Sequence, residues 1–206
     1  DGFTTLSVPG SLRLDDVAAL PNGKIVAAGG FYDGTKYNGV VIRLKANGTP
    51  DNTFGGGDGM FTSDFGLSDG VDFYDLARVA GGKIYVTGEA YPDNDSCDMA
   101  LWRFNANGSP DTSFSGDGMT RVNRGSGDCD GGWRLLPLPN GDVLVGGWSQ
   151  VEGGDYDVGM ARWNYDGSLD RNFGYRGWVT YNPTLGDNEY VADLAVANNR
   201  VYVAVG

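Results

Sequence analysis

Histidine is absent from this chain, which removes the commonest general base, proton shuttle and zinc ligand together. Cysteine is scarce, with 2 residues among 206, too few to complete a tetrahedral metal site when histidine is missing. No apolar run approaches the roughly 18 residues that a membrane-crossing helix needs, so no membrane insertion is expected. Basic residues are few: 15 Lys and Arg against 27 Asp and Glu leave a net charge of -12. That balance repels phosphate backbones and anionic lipid, which argues against nucleic acid as a partner and leaves cationic ligands open. No segment carries a sustained helical period. The chain begins at Asp1 without a methionine or a visible signal peptide, as expected of a processed or excised piece.

Glycine is abundant, at 35 residues, and it falls between apolar runs rather than in one flexible block, so it reads as turn chemistry. The turns recur. Pro21-Asn22-Gly23-Lys24-Ile25-Val26 returns as Gly81-Gly82-Lys83-Ile84-Tyr85-Val86, as Pro139-Asn140-Gly141-Asp142-Val143-Leu144, and as Ala197-Asn198-Asn199-Arg200-Val201-Tyr202, at intervals of 59, 59 and 58 residues. A period of this size marks a supersecondary unit that buries its apolar surface only by stacking on its neighbours.

Each period holds four short segments. The second, such as Ile25 to Ala28 or Val143 to Val145, is an uninterrupted apolar run that fits a strand covered on both faces. Joined by Asn-Gly and Gly-Gly turns, four such segments predict a four-stranded antiparallel meander, and meanders in series predict an all-β fold, the β-propeller. A β-solenoid is the rival, but its coils are shorter than this period. The repeats fall at about 7–63, 64–122 and 123–181 with a partial one at 182–206, and residues 1–6 match the fourth strand of a preceding blade. The chain thus holds about 3.5 repeats in one domain, and seven repeats of this length would need about 413 residues. A second polypeptide, the downstream half of a nicked precursor or another copy, is therefore expected to complete a seven-bladed ring, because unpaired strand edges invite pairing.

The most regular stretch follows the third segment: Asn47-Gly48-Thr49-Pro50-Asp51-Asn52-Thr53-Phe54-Gly55, Asn107-Gly108-Ser109-Pro110-Asp111-Thr112-Ser113-Phe114, and Asp166-Gly167-Ser168-Leu169-Asp170-Arg171-Asn172-Phe173-Gly174. With the preceding Arg43, Arg103 and Arg162, it resembles the delta-60 repeat family over essentially the whole chain. The resemblance implies a propeller in a secreted or surface-exposed bacterial protein, periplasmic being the other compartment, and implies no catalytic residues.

Recurrence at one point of every repeat gives Asp51, Asp111 and Asp170 a structural reading, with Arg43, Arg103 and Arg162 as partners and Phe54, Phe114 and Phe173 as corner residues. The irregular loops are expected together on one face. There Asp93 and Asp95, with Asp128 and Asp130, are candidate calcium ligands, since calcium takes several oxygens in loose geometry. A solvated acidic rim is the competing reading. Cys97 and Cys129 fall in adjoining loops and are predicted to form a disulfide. Tyr32, Tyr91, Trp148 and Tyr156 are candidate ligand contacts, because Tyr and Trp combine apolar area with a polar tip. These features predict a surface binding module for a carbohydrate or a surface protein. A carboxylate-dependent glycoside hydrolase or lyase is the alternative, with Glu89, Glu152 and Glu189 near the loops, and a structural part of a surface assembly is another.

Overall fold

The computed structural model describes residues 4–8, 10–93, 95–122, 124, 129–150, 154–182, 187–198 and 200–206. The described residues form an all-β structure without an α-helix. Strands β1 (Arg13–Ala19), β2 (Ile25–Tyr32), β3 (Tyr37–Leu44) and β4 (Met60–Ser63) pair in order as an antiparallel meander. The pattern returns in β5 (Gly70–Arg78), β6 (Ile84–Asp93), β7 (Ser96–Phe104) and β8 (Met119–Arg121). It returns again in β9 (Cys129–Pro137), β10 (Val143–Gln150), β11 (Tyr156–Trp163) and β12 (Trp178–Tyr181). A hairpin of β13 (Val191–Ala197) and β14 (Arg200–Val205) follows. Successive meanders share only single parallel residue pairs, Tyr37 with Gly70 and Cys97 with Cys129. The first strands β1, β5, β9 and β13 lie side by side, and the sheets do not close on themselves.

The apolar runs divide their side chains between two neighbours, since successive strand residues point to opposite faces. Val26, Ala28 and Val41 of the first meander pack with Val71, Phe73, Val86 and Trp102 of the second. Tyr85, Met99 and Leu101 point the other way and meet Leu135, Val143, Val145 and Trp163 of the third. Leu144 and Val158 continue the series onto Val191 and Leu194. Each such side chain contributes about 1.5–3 kcal/mol by leaving water, so the stacking of neighbours carries the fold. The fourth strand expected at the start of the chain is not formed by its described residues, 4–6, which carry no ladder pairing. Leu6 and Val8 cover Phe31, Val40 and Ile42 on the outer face of the first meander.

Each repeat is locked at one corner. Arg43 Nε donates to Asp51 Oδ2 at 2.7 Å, Arg103 Nε to Asp111 at 2.6 Å, and Arg162 Nε to Asp170 at 2.5 Å. The second carboxylate oxygen caps the turn, accepting from the Thr53 hydroxyl at 2.8 Å and the Ser113 hydroxyl at 2.7 Å. Lys24 joins Asp51 at 2.6 Å, and Lys83 takes the same place at Asp111. Each guanidinium lies over its phenylalanine, at 4.6 Å for Phe54, 4.7 Å for Phe114 and 5.3 Å for Phe173. The remaining arm reaches the next repeat: Arg43 donates to the Ala106 carbonyl, and Arg103 to the Tyr165 carbonyl at 2.5 Å. The same contact explains Gly108 and Gly167, both at positive φ. A Cβ on Gly108 would sit 2.8 Å from the Phe54 ring and one on Gly167 2.9 Å from the Ser115 nitrogen.

The Cys97–Cys129 disulfide ties β7 to β9, with Cα atoms 4.5 Å apart, and so joins the second and third meanders. Arg103 is 1% exposed, so its loss leaves the buried Asp111 to Lys83 and Ser113, and the Tyr165 carbonyl without its guanidinium donor. Arg103→Ala is expected to lower the unfolding free energy by about 1.5–3 kcal/mol in urea denaturation, and a loss under about 0.5 kcal/mol would refute the corner's role.

Candidate functional site

One face gathers the starts of third strands and of the next repeat's first strand. Tyr37 N donates to the Asp69 carbonyl at 3.0 Å, and Glu189 N to the Tyr156 carbonyl at 2.7 Å. Tyr156 N donates to Asn188 Oδ1 at 3.0 Å across 32 residues, the same separation as the disulfide cysteines. The disulfide thus adds a covalent tie at the junction where β7 and β9 already pair, Cys97 with Cys129.

Of the predicted aromatic contacts, Tyr32 and Tyr156 are exposed, while Tyr91 and Trp148 are half-buried. Tyr32, Tyr37 and Tyr91 form a row with ring centroids 5.2 Å apart at each step. Trp148 meets Tyr156 edge-on at 4.7 Å. The Tyr91 hydroxyl points inward, donating to Glu89 Oε2 at 2.5 Å beside the Tyr74 hydroxyl at 3.0 Å.

Glu89 is the residue on which these rings converge. It lies on β6 with 6% of its surface exposed. Burial pushes its carboxyl well above the usual range, against the hydrogen bonds from Tyr91 and Tyr74 and with the Asp72 charge adding to the rise. Burial likewise raises both tyrosines, and the Glu89 charge adds to it. Together with Trp133, Trp148, Tyr156, Asn188 and Tyr190, Glu89 walls a pocket of about 190 Å³. Trp133 and Tyr190 pack with ring centroids 4.9 Å apart. Gly131 permits the arrangement, because a Cβ there would lie 2.5 Å from Glu89 Oε1 and 2.3 Å from Trp148 Nε1.

The repeat explains how the pocket arises. Gly30, Glu89 and Trp148 are equivalent positions, as are Asp72, Gly131 and Tyr190. At the first junction Gly30 makes room for Asp72, whose Oδ1 would lie 2.1 Å from a Cβ on that glycine, and Arg13 pairs with Asp72 at 2.8 Å. At the second, Gly131 makes room for Glu89. At the third both positions are aromatic, and their rings hold the pocket open.

Of the predicted calcium ligands, Asp93, Asp95 and Asp130 lie among the described residues. Asp93 Oδ1 accepts from Asp95 N at 3.0 Å and the Ser96 hydroxyl at 2.8 Å, which holds its carboxyl below the ordinary range and closes the β6–β7 turn. Asp95 is exposed on that turn. Asp130 is buried and lies 3.5 Å from Arg124. Asp128 and Glu152 lie outside the described residues, among which no group of three or more metal-ligating side chains comes together.

A second acidic feature lies on the first strands, beside a cavity of about 400 Å³ lined by Asp15, Asp16, Tyr74, Asp75 and Arg134. Each of β1, β5 and β9 carries a bulge, and in β1 and β5 the residue that follows it is an acid turned toward the next repeat. Asp16 Oδ2 accepts from Leu76 N at 3.0 Å, and Asp75 Oδ2 from Leu135 N at 2.7 Å. Arg134 holds the equivalent place at the third junction and donates to the Ala192 carbonyl at 2.9 Å. Burial pushes the Asp75 carboxyl up to about 7; the Leu135 N–H opposes this and the hydrogen-bonded Asp16 adds to it. The folded chain therefore keeps a proton that the unfolded chain releases near pH 4. The associated stability is complete below about pH 4 and is lost as pH rises through about 7. Asp75→Asn preserves an acceptor for Leu135 and a donor toward Asp16 but cannot titrate. It is expected to flatten the pH dependence of unfolding between pH 5 and 7, by up to about 1.4 kcal/mol per pH unit; an unchanged slope would show that another group sets it.

A search of curated proteins finds no match to the chain. The family described as a domain of unknown function (DUF5122) beta-propeller matches residues 20–54, 82–114 and 138–173. Each matched segment runs from the turn after a first strand to the corner phenylalanine or its immediate neighbourhood, in phase with three successive meanders. With half of its length matched in this way, the chain belongs to the DUF5122 beta-propeller family.

Proposed function

We propose that the chain is part of a β-propeller that serves as a secreted or cell-surface binding module. Its ligand, a surface protein or a carbohydrate, is held on the face that carries Tyr32, Tyr91, Trp148 and Tyr156. The observation behind this reading is the pocket at Glu89, where four aromatic rings and a buried carboxyl share one cavity. Pockets that combine apolar walls with a few placed polar groups are the usual form of a ligand site. A protein side chain suits it better than a pyranose. Glu89 and Asn188 are its main polar groups apart from ring hydroxyls and indole N–H, and burying several sugar hydroxyls without partners costs free energy. The exposed pair Tyr32 and Tyr37 keeps the carbohydrate reading open as a stacking surface beside the pocket. Hydrolysis has less behind it: Asp72, opposite Glu89 in the β5–β6 ladder, is tied to Arg13. The disulfide is compatible with an extracellular location, and among the described residues no helix is long and apolar enough to cross a membrane.

In this proposal the chain supplies about half of a seven-bladed ring. Every residue of β14 is exposed, Val201, Tyr202, Val203 and Val205 among them, whereas its equivalents β2, β6 and β10 are largely buried. A further repeat, from a second polypeptide or another copy, would pair with that edge and give Asp193 the backbone partner that Asp16 and Asp75 already have. Native mass measurement is expected to find the chain within an assembly larger than 21.8 kDa, and a compact monomer of that mass would count against the ring.

The contact surface is tested by glycan-array screening and by binding to candidate surface proteins, each with and without chelator. Trp148→Ala is expected to weaken the ligand found at least tenfold, about 1.4 kcal/mol. Unchanged binding in both Trp148→Ala and Tyr156→Ala would remove the support for this face.

A further inference from the structure

We infer that the Glu89 pocket binds a small organic cation, an ammonium or methylated ammonium group, with its charge toward the Glu89 carboxylate and its carbon shell against Trp133, Trp148, Tyr156 and Tyr190. The inference deepens the binding-module reading and rests on it. Three features of the site point the same way.

First, the carboxyl is buried and its hydrogen-bonding partners are neutral. Tyr74 and Tyr91 both donate to Oε2, with Trp133 contributing from β9, and among the described residues no ion pair reaches Glu89. Arg13, on the same side of the molecule, is committed to Asp15 at 2.7 Å and Asp72 at 2.8 Å. Asp72 adds negative potential rather than relieving it. Burial favours the neutral form of an unpaired carboxyl, so a cation entering the pocket draws off its proton and supplies the counter-charge that the described residues do not.

Second, the rest of the wall is aromatic. Ring faces are negative and attract cations within about 6 Å, most strongly where water is excluded. Tyr156 meets Trp148 at 4.7 Å and 69°, and Tyr190 meets Trp133 at 4.9 Å and 59°, so the two pairs present rings at steep angles to each other as the walls of a cage. Third, size and polarity exclude the commoner alternatives. About 190 Å³ accommodates a group the size of a tetramethylammonium ion but no oligosaccharide, and Asn188 Oδ1 is already engaged by Tyr156 N. An anion would face Glu89 and Asp72 together, in a chain of net charge -12.

The experiment titrates the whole chain with choline, with its uncharged isostere 3,3-dimethylbutan-1-ol, and with a short peptide bearing trimethyllysine, following tryptophan fluorescence at constant ionic strength. Saturable binding of choline or of the peptide is expected, at least tenfold tighter than the isostere. Glu89→Gln should reduce it at least tenfold while leaving the unfolding midpoint close to that of the parent. Tyr156→Ala, which removes an exposed wall and none of the Glu89 hydrogen bonds, should weaken it severalfold and serves if Glu89→Gln folds poorly. Binding of choline would identify free small cations as ligands, and binding of the peptide alone would identify a protein side chain. Equal affinity for the charged and uncharged probes, undiminished binding in both variants, or no binding of any probe would overturn the inference. Capture of a glycan or protein ligand that depends on Trp148 but not on Glu89 would leave the binding-module reading standing while this one fell.

Discussion

The arginine that pairs with an aspartate inside its own repeat and then reaches a carbonyl of the next repeat holds this architecture together. Arg43 and Arg103 each satisfy three demands at once: they neutralise a buried carboxylate, cover a phenylalanine ring, and fix the distance to the following turn. A buried ion pair taken alone is weak evidence of stability, because desolvation offsets the attraction. Its value here lies in geometry. The planar guanidinium offers donors in fixed directions, so the angle between neighbours is set by hydrogen bonds as well as by less directional apolar packing. Arg162 shows the dependence on a neighbour: its side chain is 30% exposed against 1% for Arg103, and Asp142 stands where Lys24 and Lys83 stood.

With the scaffold repeated so closely, chemistry enters through exchange at equivalent positions. The three junctions hold Gly30 with Asp72, Gly131 with Glu89, and Trp148 with Tyr190, so a small residue accommodates an acid twice and two rings line one pocket once. The Glu89 pocket forms where the second and third of these arrangements adjoin. The same logic governs the tie between third and first strands, where backbone pairing recurs and the middle junction adds the Cys97–Cys129 disulfide. It governs the first strands too, where Asp16, Asp75 and Arg134 bridge to the next repeat with opposite charges but similar reach.

Much of the fold was legible because its physics is local or periodic. Apolar runs such as Ile84 to Val86 announce strands covered on both faces, and the sequence separation of 8 between Arg103 and Asp111 lets a single connection bring the pair together. The cysteines were legible as the chain's two thiols in adjoining loops. The site was legible only in part. Trp148 and Tyr156 belong to the pocket, but Tyr91 turns its hydroxyl inward, and Glu89 carries no motif that distinguishes it from the other acids. Asp93 and Asp95 cluster in sequence, and in space Asp93 Oδ1 accepts from Asp95 N and the Ser96 hydroxyl to close the β6–β7 turn.

What the sequence determined by itself was the repeated unit: its period, its strands, its turns and the charge pair at its corner, all set by contacts inside one repeat or by a pattern that recurs in every repeat. The tertiary structure decided which side chains from different repeats face one another. Glu89, Trp148 and Tyr190 come from three repeats, and whether they point into one cavity depends on strand alternation, on the bulge in each first strand and on the stacking of neighbours. Those are relations between units, and the composition of any single unit does not contain them.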